Sequence, residues 1–195
     1  MLKHRLVLAC LLVVSAVALA ACGSGNSDES QIEEAVETSA TSTDPADCTK
    51  LATQTFVEQT TQSEGAEAVK ACEKEASEET GAKSAAVSNI EVDGSKATAD
   101  AALTGGGLDG QEVEVALVKE GDQWKLDEIP GFTKFDQAKV IETLERELAK
   151  PSNEVSKSDA ACITKSFEEA PAAEFEEALL SPSSEGFEEI AGGCF

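Results

Sequence analysis

"SNIEVDGSKATADAAL", residues 88–103, and "VEVALVKEGDQWKLDEI", residues 113–129, decide the fold of this 195-residue chain. Apolar and polar residues alternate in both, so an extended strand would have one apolar and one polar face. Asp93-Gly94 interrupts the first stretch. This pair is a strong hairpin signal, because the tight turn between antiparallel strands needs positive φ. Val87, Ile90 and Val92 lie before it; Ala97, Ala99, Ala101 and Leu103 follow. Glu120-Gly121-Asp122 divides the second stretch, with Val113, Val115 and Leu117 on one side and Trp124, Leu126 and Ile129 on the other. The glycine-rich loop Gly105–Gly110 joins the two hairpins. Four such strands read as an antiparallel meander packed on helices.

Upstream, the period changes to that of a helix. Ile32, Ala35 and Val36 predict a short helix ahead of Pro45. Asp47 is placed to cap a second, with Cys48, Leu51, Ala52, Thr55 and Phe56 on one face. A third spans Glu64 to Glu79 and aligns Ala68, Val69, Cys72 and Ala76, and Gly81 closes the helical part. Downstream, Asp136 is a candidate N-cap, with Phe135 and Val140 spaced for a hydrophobic staple. Val140, Ile141, Leu144 and Leu148 form that helix's stripe, and Pro151 ends it. After the polar linker Ser152–Lys157 come three short helical patterns, Asp159–Glu168, Ala172–Leu180 and Ser184–Ala191. Each is too short to stand alone in water.

Helices followed by a curved four-stranded meander resemble the cone-shaped fold of the nuclear transport factor two-like (SnoaL-like) superfamily. Cys48–Phe56 and the two hairpins carry the resemblance, which covers roughly residues 32–135. Small lipoproteins of actinobacterial type look similar. The resemblance implies a cone with an interior; enzymes of the superfamily place Asp, His or Tyr in its mouth. The expected fold is α+β: N-terminal helices packed on a curved antiparallel four-stranded sheet over 32–135, then a small disulfide-stapled helical region over 136–195. Trp124, Phe56, Phe132 and Phe135 are read as core, since a large aromatic on an apolar face is most often packing.

The N-terminus gives an address. Lys3, His4 and Arg5 precede an apolar run from Leu6 to Leu19, and Ala20-Ala21 supplies small residues before Cys22. A positive start, a short apolar stretch and small residues mark a secretory signal peptide, here 1–21. A membrane-spanning helix would need about 20 apolar residues. Leu19-Ala20-Ala21-Cys22 resembles the bacterial lipobox, which implies cleavage after Ala21 and a diacylglycerol thioether on Cys22. Two acyl chains hold a protein stably where one is marginal. Gly23–Ser30 then reads as a flexible tether, within a segment taken as 22–31. The expected location is the extracytoplasmic face of the cell membrane, with the bilayer as a partner through Cys22 alone.

Cysteine count fits that compartment. Cys10 leaves with the signal peptide and Cys22 takes the lipid, so Cys48, Cys72, Cys162 and Cys194 remain. Four cysteines allow three connectivities. Local architecture favours 48–72 and 162–194, because each pair brackets a compact unit. No two of them have the close spacing of a metal site, and no calcium-loop pattern is present. No cofactor is expected.

Charge and composition narrow the function. The chain carries 15 Lys+Arg against 38 Asp+Glu, a formal charge of −23, which becomes −25 once Lys3 and Arg5 are lost. Such a surface is repelled by phosphate backbones, which excludes nucleic acid as a partner. The acidic pairs 168–169, 176–177 and 188–189 are read as solvated faces. The sole histidine, His4, goes with the signal peptide, and there is no tyrosine. Nucleophile–histidine chemistry and histidine-ligated zinc are therefore excluded from the mature chain. Asp100, Glu112, Glu114 and Asp127 are the carboxylates that would signal an enzyme if they were buried in a pocket. The expected function is that of a non-enzymatic lipoprotein, a small-ligand-binding or scaffold protein; the alternatives are an interaction module for an envelope protein and, behind it, an enzyme using a carboxylate inside the cone. The state of the cone interior separates them.

Overall fold

A computed structural model describes residues 27–78, 81–150 and 155–194. Helix α1 spans Asp28–Thr41. Ser27 caps it, accepting the Ser30 N–H, and Asp28 and Glu29 in the first turn suit the positive end of its dipole. The tether expected over 22–31 is thus shorter, because Asp28, Glu29, Ser30 and Gln31 are helical. Residues 1–26, and with them Cys22 and the signal-peptide reading, lie outside the described residues.

The single helix expected after Asp47 is two, α2 (Asp47–Lys50) and α3 (Gln54–Thr61). Asp47 is the first residue of α2 and Ala46 holds the cap position, a correction to the capping role read from sequence. Between the helices the chain turns aside to bond the sheet. The Leu126 N–H donates to Leu51 O at 2.9 Å and the Thr53 N–H to Leu126 O at 2.8 Å. These bonds cover an otherwise open strand edge, and that gain outweighs one more helical turn. Thr53 Oγ1 then caps α3 through the Phe56 N–H. Helix α4 spans Gly65–Ser77.

The sheet is a four-stranded antiparallel meander in the order β1 (Ser84–Asp93), β2 (Lys96–Thr104), β3 (Glu112–Glu120) and β4 (Gln123–Lys134). Gly94 and Gly121 take φ of +64° in the two tight turns, where a side chain would be strained. Register shifts between Ser88 and Glu91, where Asn89 adopts φ +51° and its amide donates to Asp100 Oδ2 at 2.7 Å. This bulge shifts the alternation, and Val92, expected on the inner face, is 41% exposed. Further irregularities lie in the β3–β4 pairing, and β4 runs on past Ile129 to bring Phe132 opposite Val113.

One core joins α1 to the sheet, through Ile32, Ala35 and Val36 against Ala97, Ala99, Ala101, Val113, Val115, Leu117, Trp124 and Leu126. Downstream lie α5 (Gln137–Leu148), α6 (Lys157–Glu169), α7 (Ala172–Leu180), α8 (Glu185–Ala191) and a final 3₁₀ turn, Gly192–Cys194. Asp136 caps α5 by accepting the Lys139 N–H. These helices share a second core built on Val140, Ile141, Ile163, Phe167 and Phe175. Rings run through it in a chain: Phe132–Phe135 at 4.9 Å, Phe135–Phe175 at 5.8 Å, Phe175–Phe167 at 4.8 Å and Phe167–Phe187 at 5.4 Å between centroids.

Two buried glutamines tie these parts together. Gln59 of α3 accepts the Ile129 N–H at 2.8 Å and donates to the carbonyls of Ile129 and Leu180. Gln111 accepts the Asp136 N–H at 2.7 Å and donates to Asp136 O. Each amide serves backbone groups that a strand or helix end leaves without a regular partner.

Candidate functional site

The packing of α1, α3 and α4 on the inner sheet face leaves a partly open cavity of about 300 Å³. Its cause is compositional. Ala101 on β2 and Ala52, Ala40, Ala76 and Ala82 around the wall are all small, so the backbones stand apart with little to fill the space between. Val36, Phe56, Val57, Leu103, Val115 and Ile129 give it a mainly apolar lining. Both sulfur-bearing residues of the Cys48–Cys72 bridge are in the wall. That bridge has Cα atoms 6.1 Å apart and binds α2 to α4. The second bridge, Cys162–Cys194, with Cα atoms 5.6 Å apart, closes the C-terminal helices far from the cavity in sequence. In the chain-entropy account each is worth about 3–4 kcal/mol.

Three carboxylates line the cavity: Asp44, Asp47 and Glu75. Asp44 and Asp47 are engaged locally. Asp44 Oδ1 accepts the Ala46 N–H at 3.0 Å, and Asp47 accepts the Ser42 hydroxyl at 2.6 Å and faces Lys50 at 3.5 Å. Glu75, on α4, is exposed at its side of the wall, yet the surrounding protein mass disfavours its charge and holds its carboxyl above the ordinary range. Glu78 adds repulsion and Lys74 partly opposes it. Among the described residues, no lysine or arginine lines the cavity. Lys83 lays its methylenes along Gly105 at the neighbouring loop without joining the lining.

The four carboxylates singled out in the sequence lie elsewhere. Asp100, Glu112, Glu114 and Asp127 alternate with the buried residues of their strands, point to the other sheet face and do not line the cavity. Glu75 is the residue that sequence reading missed. Its signal was present: it stands three residues after Cys72 and seven after Ala68, on the inward stripe of α4.

Trp124 belongs to the core and not to the cavity. It is 1% exposed, and its indole N–H donates to Asp28 Oδ1 at 3.0 Å. Lys119 donates to the same oxygen and sits 5.4 Å from the Trp124 ring centroid. The Lys119 and Trp124 hydrogen bonds hold the Asp28 carboxyl below the ordinary carboxylate range. This clasp fixes the first turn of α1 to the β3–β4 hairpin, while the last turn of α1 forms one wall of the cavity.

Fold and site together define a disulfide-bonded α+β protein with a four-stranded antiparallel sheet and a small apolar cavity beneath it. No protein-family model, curated protein or solved structure matches the chain. No helix among the described residues is long and apolar enough to cross a membrane, and none of their acidic and cysteine side chains cluster as metal ligands.

Proposed function

We propose that this chain is a lipid-anchored binding protein of the extracytoplasmic membrane face, carrying a small, largely apolar ligand in the cavity under its sheet. The observation that carries this reading is the cavity itself. At about 300 Å³ it is at the lower end of the ~300–1,000 Å³ range of ligand pockets, with a mainly apolar lining and a few polar groups at its rim. The lipobox-like Leu19–Cys22, the short polar tether and the two disulfides support the location. We read the helices-on-sheet arrangement as the nuclear transport factor two-like cone, with the cavity as its interior.

Two measurements test the proposal. Replacing Cys22→Ala should move the protein from the membrane fraction to the medium; unchanged membrane partition would refute the anchor. Native mass spectrometry of protein isolated from the membrane fraction should show an added small-molecule mass. That mass should be absent from Ala101→Leu, whose larger side chain projects into the cavity. The same adduct on both proteins would place the ligand elsewhere.

A further inference from the structure

We infer that the free edge of β1 is a docking strand for an extended segment of a basic partner protein. The segment adds to the sheet as a fifth strand, with apolar side chains inward and lysine or arginine side chains outward. None of the residues of β1 lines the cavity, so this surface is independent of what the cavity holds.

The two edges of the sheet are finished differently. With the order β1-β2-β3-β4, one edge falls at β4 and the other at β1. Leu51 and Thr53 cover the β4 edge by bonding Leu126 from both sides. Among the described residues, no backbone hydrogen bond is made to the outer edge of β1; the bond from the Ala82 N–H to Ala40 O falls before the strand begins. In an antiparallel pair alternate residues turn their N–H and C=O away from the partner, so about half of this strand's backbone groups face outward. Such a row is a template for another strand.

Edges that are not meant to pair carry proline, lysine or a bulge. In β1 the bulge between Ser88 and Glu91 disrupts only the second half. Ser84–Ser88 keeps a regular register with β2 from Thr104 to Asp100 and contains neither proline nor charge. Its outer side chains, Ser84, Ala86 and Ser88, are small and exposed, so a second backbone can approach closely.

The chemistry of the partner follows from what flanks this segment. Val92 is the one large hydrophobic side chain left exposed among the described residues, and it lies on this strand. Inward side chains of an added strand would extend the apolar row of Ala85 and Val87 and shelter Val92. The charges are acidic. Glu91 and Asp93 form no ion pair among the described residues, and α1, which packs across β1, exposes Glu33, Glu34 and Glu37. A residue opposite Glu91 in an added ladder would have its Cβ about 4.5–5.5 Å away, within reach of a cationic side chain. A second copy of the chain fits poorly, because Ser84–Asp93 offers the same two acids and no basic residue. The chain's formal charge of −23 acts in the same sense, drawing in a cationic segment and repelling another copy.

Three fluorescein-labelled peptides test the inference: four Lys-Val repeats, four Glu-Val repeats, and the Lys-Val peptide with every backbone nitrogen methylated. Each is titrated by fluorescence anisotropy against the full-length protein in phosphatidylcholine nanodiscs, with empty nanodiscs as the blank. The Lys-Val peptide should bind at least tenfold tighter than either control, the effect of losing two or more backbone bonds or of reversing the charge. It should also slow hydrogen exchange within residues 84–92. Glu91→Lys should weaken it about fivefold and leave the urea midpoint unchanged. Equal binding of the methylated peptide, or slowed exchange only outside β1, would overturn edge pairing. Equal binding of the Glu-Val peptide would overturn the basic partner. Slow exchange of every amide from Ser84 to Ser88 before any peptide is added would mean that the edge is already covered, by this chain or by a second copy, and would overturn the inference, as would no binding of any peptide.

Discussion

The two halves of the molecule solve the same packing problem with different residues. Under the sheet, the inner positions of β2 are Ala97, Ala99 and Ala101, and the facing walls add Ala40, Ala76 and, from the break between α2 and α3, Ala52. Among the C-terminal helices, the inner positions are Phe135, Phe167, Phe175 and Phe187, whose rings touch edge to face or tilted. Both halves carry a disulfide. One is stapled around a space and the other around a filled aromatic core. The difference teaches that the bridge at Cys48–Cys72 holds cavity walls in place, whereas Cys162–Cys194 closes helices too short to persist alone.

The largest effect expected is in the filled half. Phe175 is fully buried at the centre of the ring chain, and Phe175→Ala should cost about 3–5 kcal/mol, read as a shift in urea midpoint. A loss below about 1 kcal/mol would mean the rings are not a cooperative core. Next is the pair of bridges. Removing Cys162–Cys194 by double serine substitution should cost about 3–4 kcal/mol and reduce helical circular dichroism. Removing Cys48–Cys72 should cost a comparable amount, and in addition remove the small-molecule mass from the native spectrum, because α4 is released from α2. If both losses leave binding equally unaffected, the proposed division of labour between the bridges fails.

Smaller effects come from single contacts. Gly186 packs so closely on α7 that an added Cβ would lie 2.9 Å from the Ala178 Cα and Cβ; Gly186→Ala should therefore lower the thermal midpoint by more than Gly193→Ala, whose surroundings are open. Asp28 adds a pH signature. Its folded carboxyl is held below the ordinary value, so its stabilising effect is present above the unfolded value and lost as pH falls through the folded one. Asp28→Asn should therefore flatten the acid side of the stability profile. Glu75 has the opposite sign: its raised carboxyl favours the folded state at acid pH, and that benefit fades as pH rises from the ordinary value through the raised one. Glu75→Gln should remove this fading. Ala101→Leu should stay below the ~1–3 kcal/mol that overpacking a filled core site costs, because the added side chain enters existing space.

Much of the sheet was legible because period two and two glycine turns leave few alternatives. Val113, Val115, Leu117, Trp124 and Leu126 all face inward as their alternation required. The steps of three from Val87 to Ile90 and from Leu126 to Ile129 fall where register slips. The α2–α3 break was not legible, since helical spacing from Cys48 to Phe56 is satisfied locally while Leu51 and Thr53 are drawn off by the distant Leu126. The same holds for Asp28, which reads as tether until Lys119 and Trp124 come to it, and for Gln59 and Gln111, whose partners are backbone groups of remote segments. The cavity escaped as well. An alanine stripe predicts burial, but whether helices close over it or stand away is settled only by the large residues around its rim.

The central claim is that the alanine-walled half holds usable space, whereas the phenylalanine-filled half does not. Xenon is a direct probe, since it enters apolar cavities without needing a specific polar partner. A crystal structure of the protein under xenon pressure should show an atom bound among Val36, Phe56, Leu103 and Val115, and none among Phe135, Phe167 and Phe175. A sheet side packed solid, with no xenon beneath β2, would contradict the account.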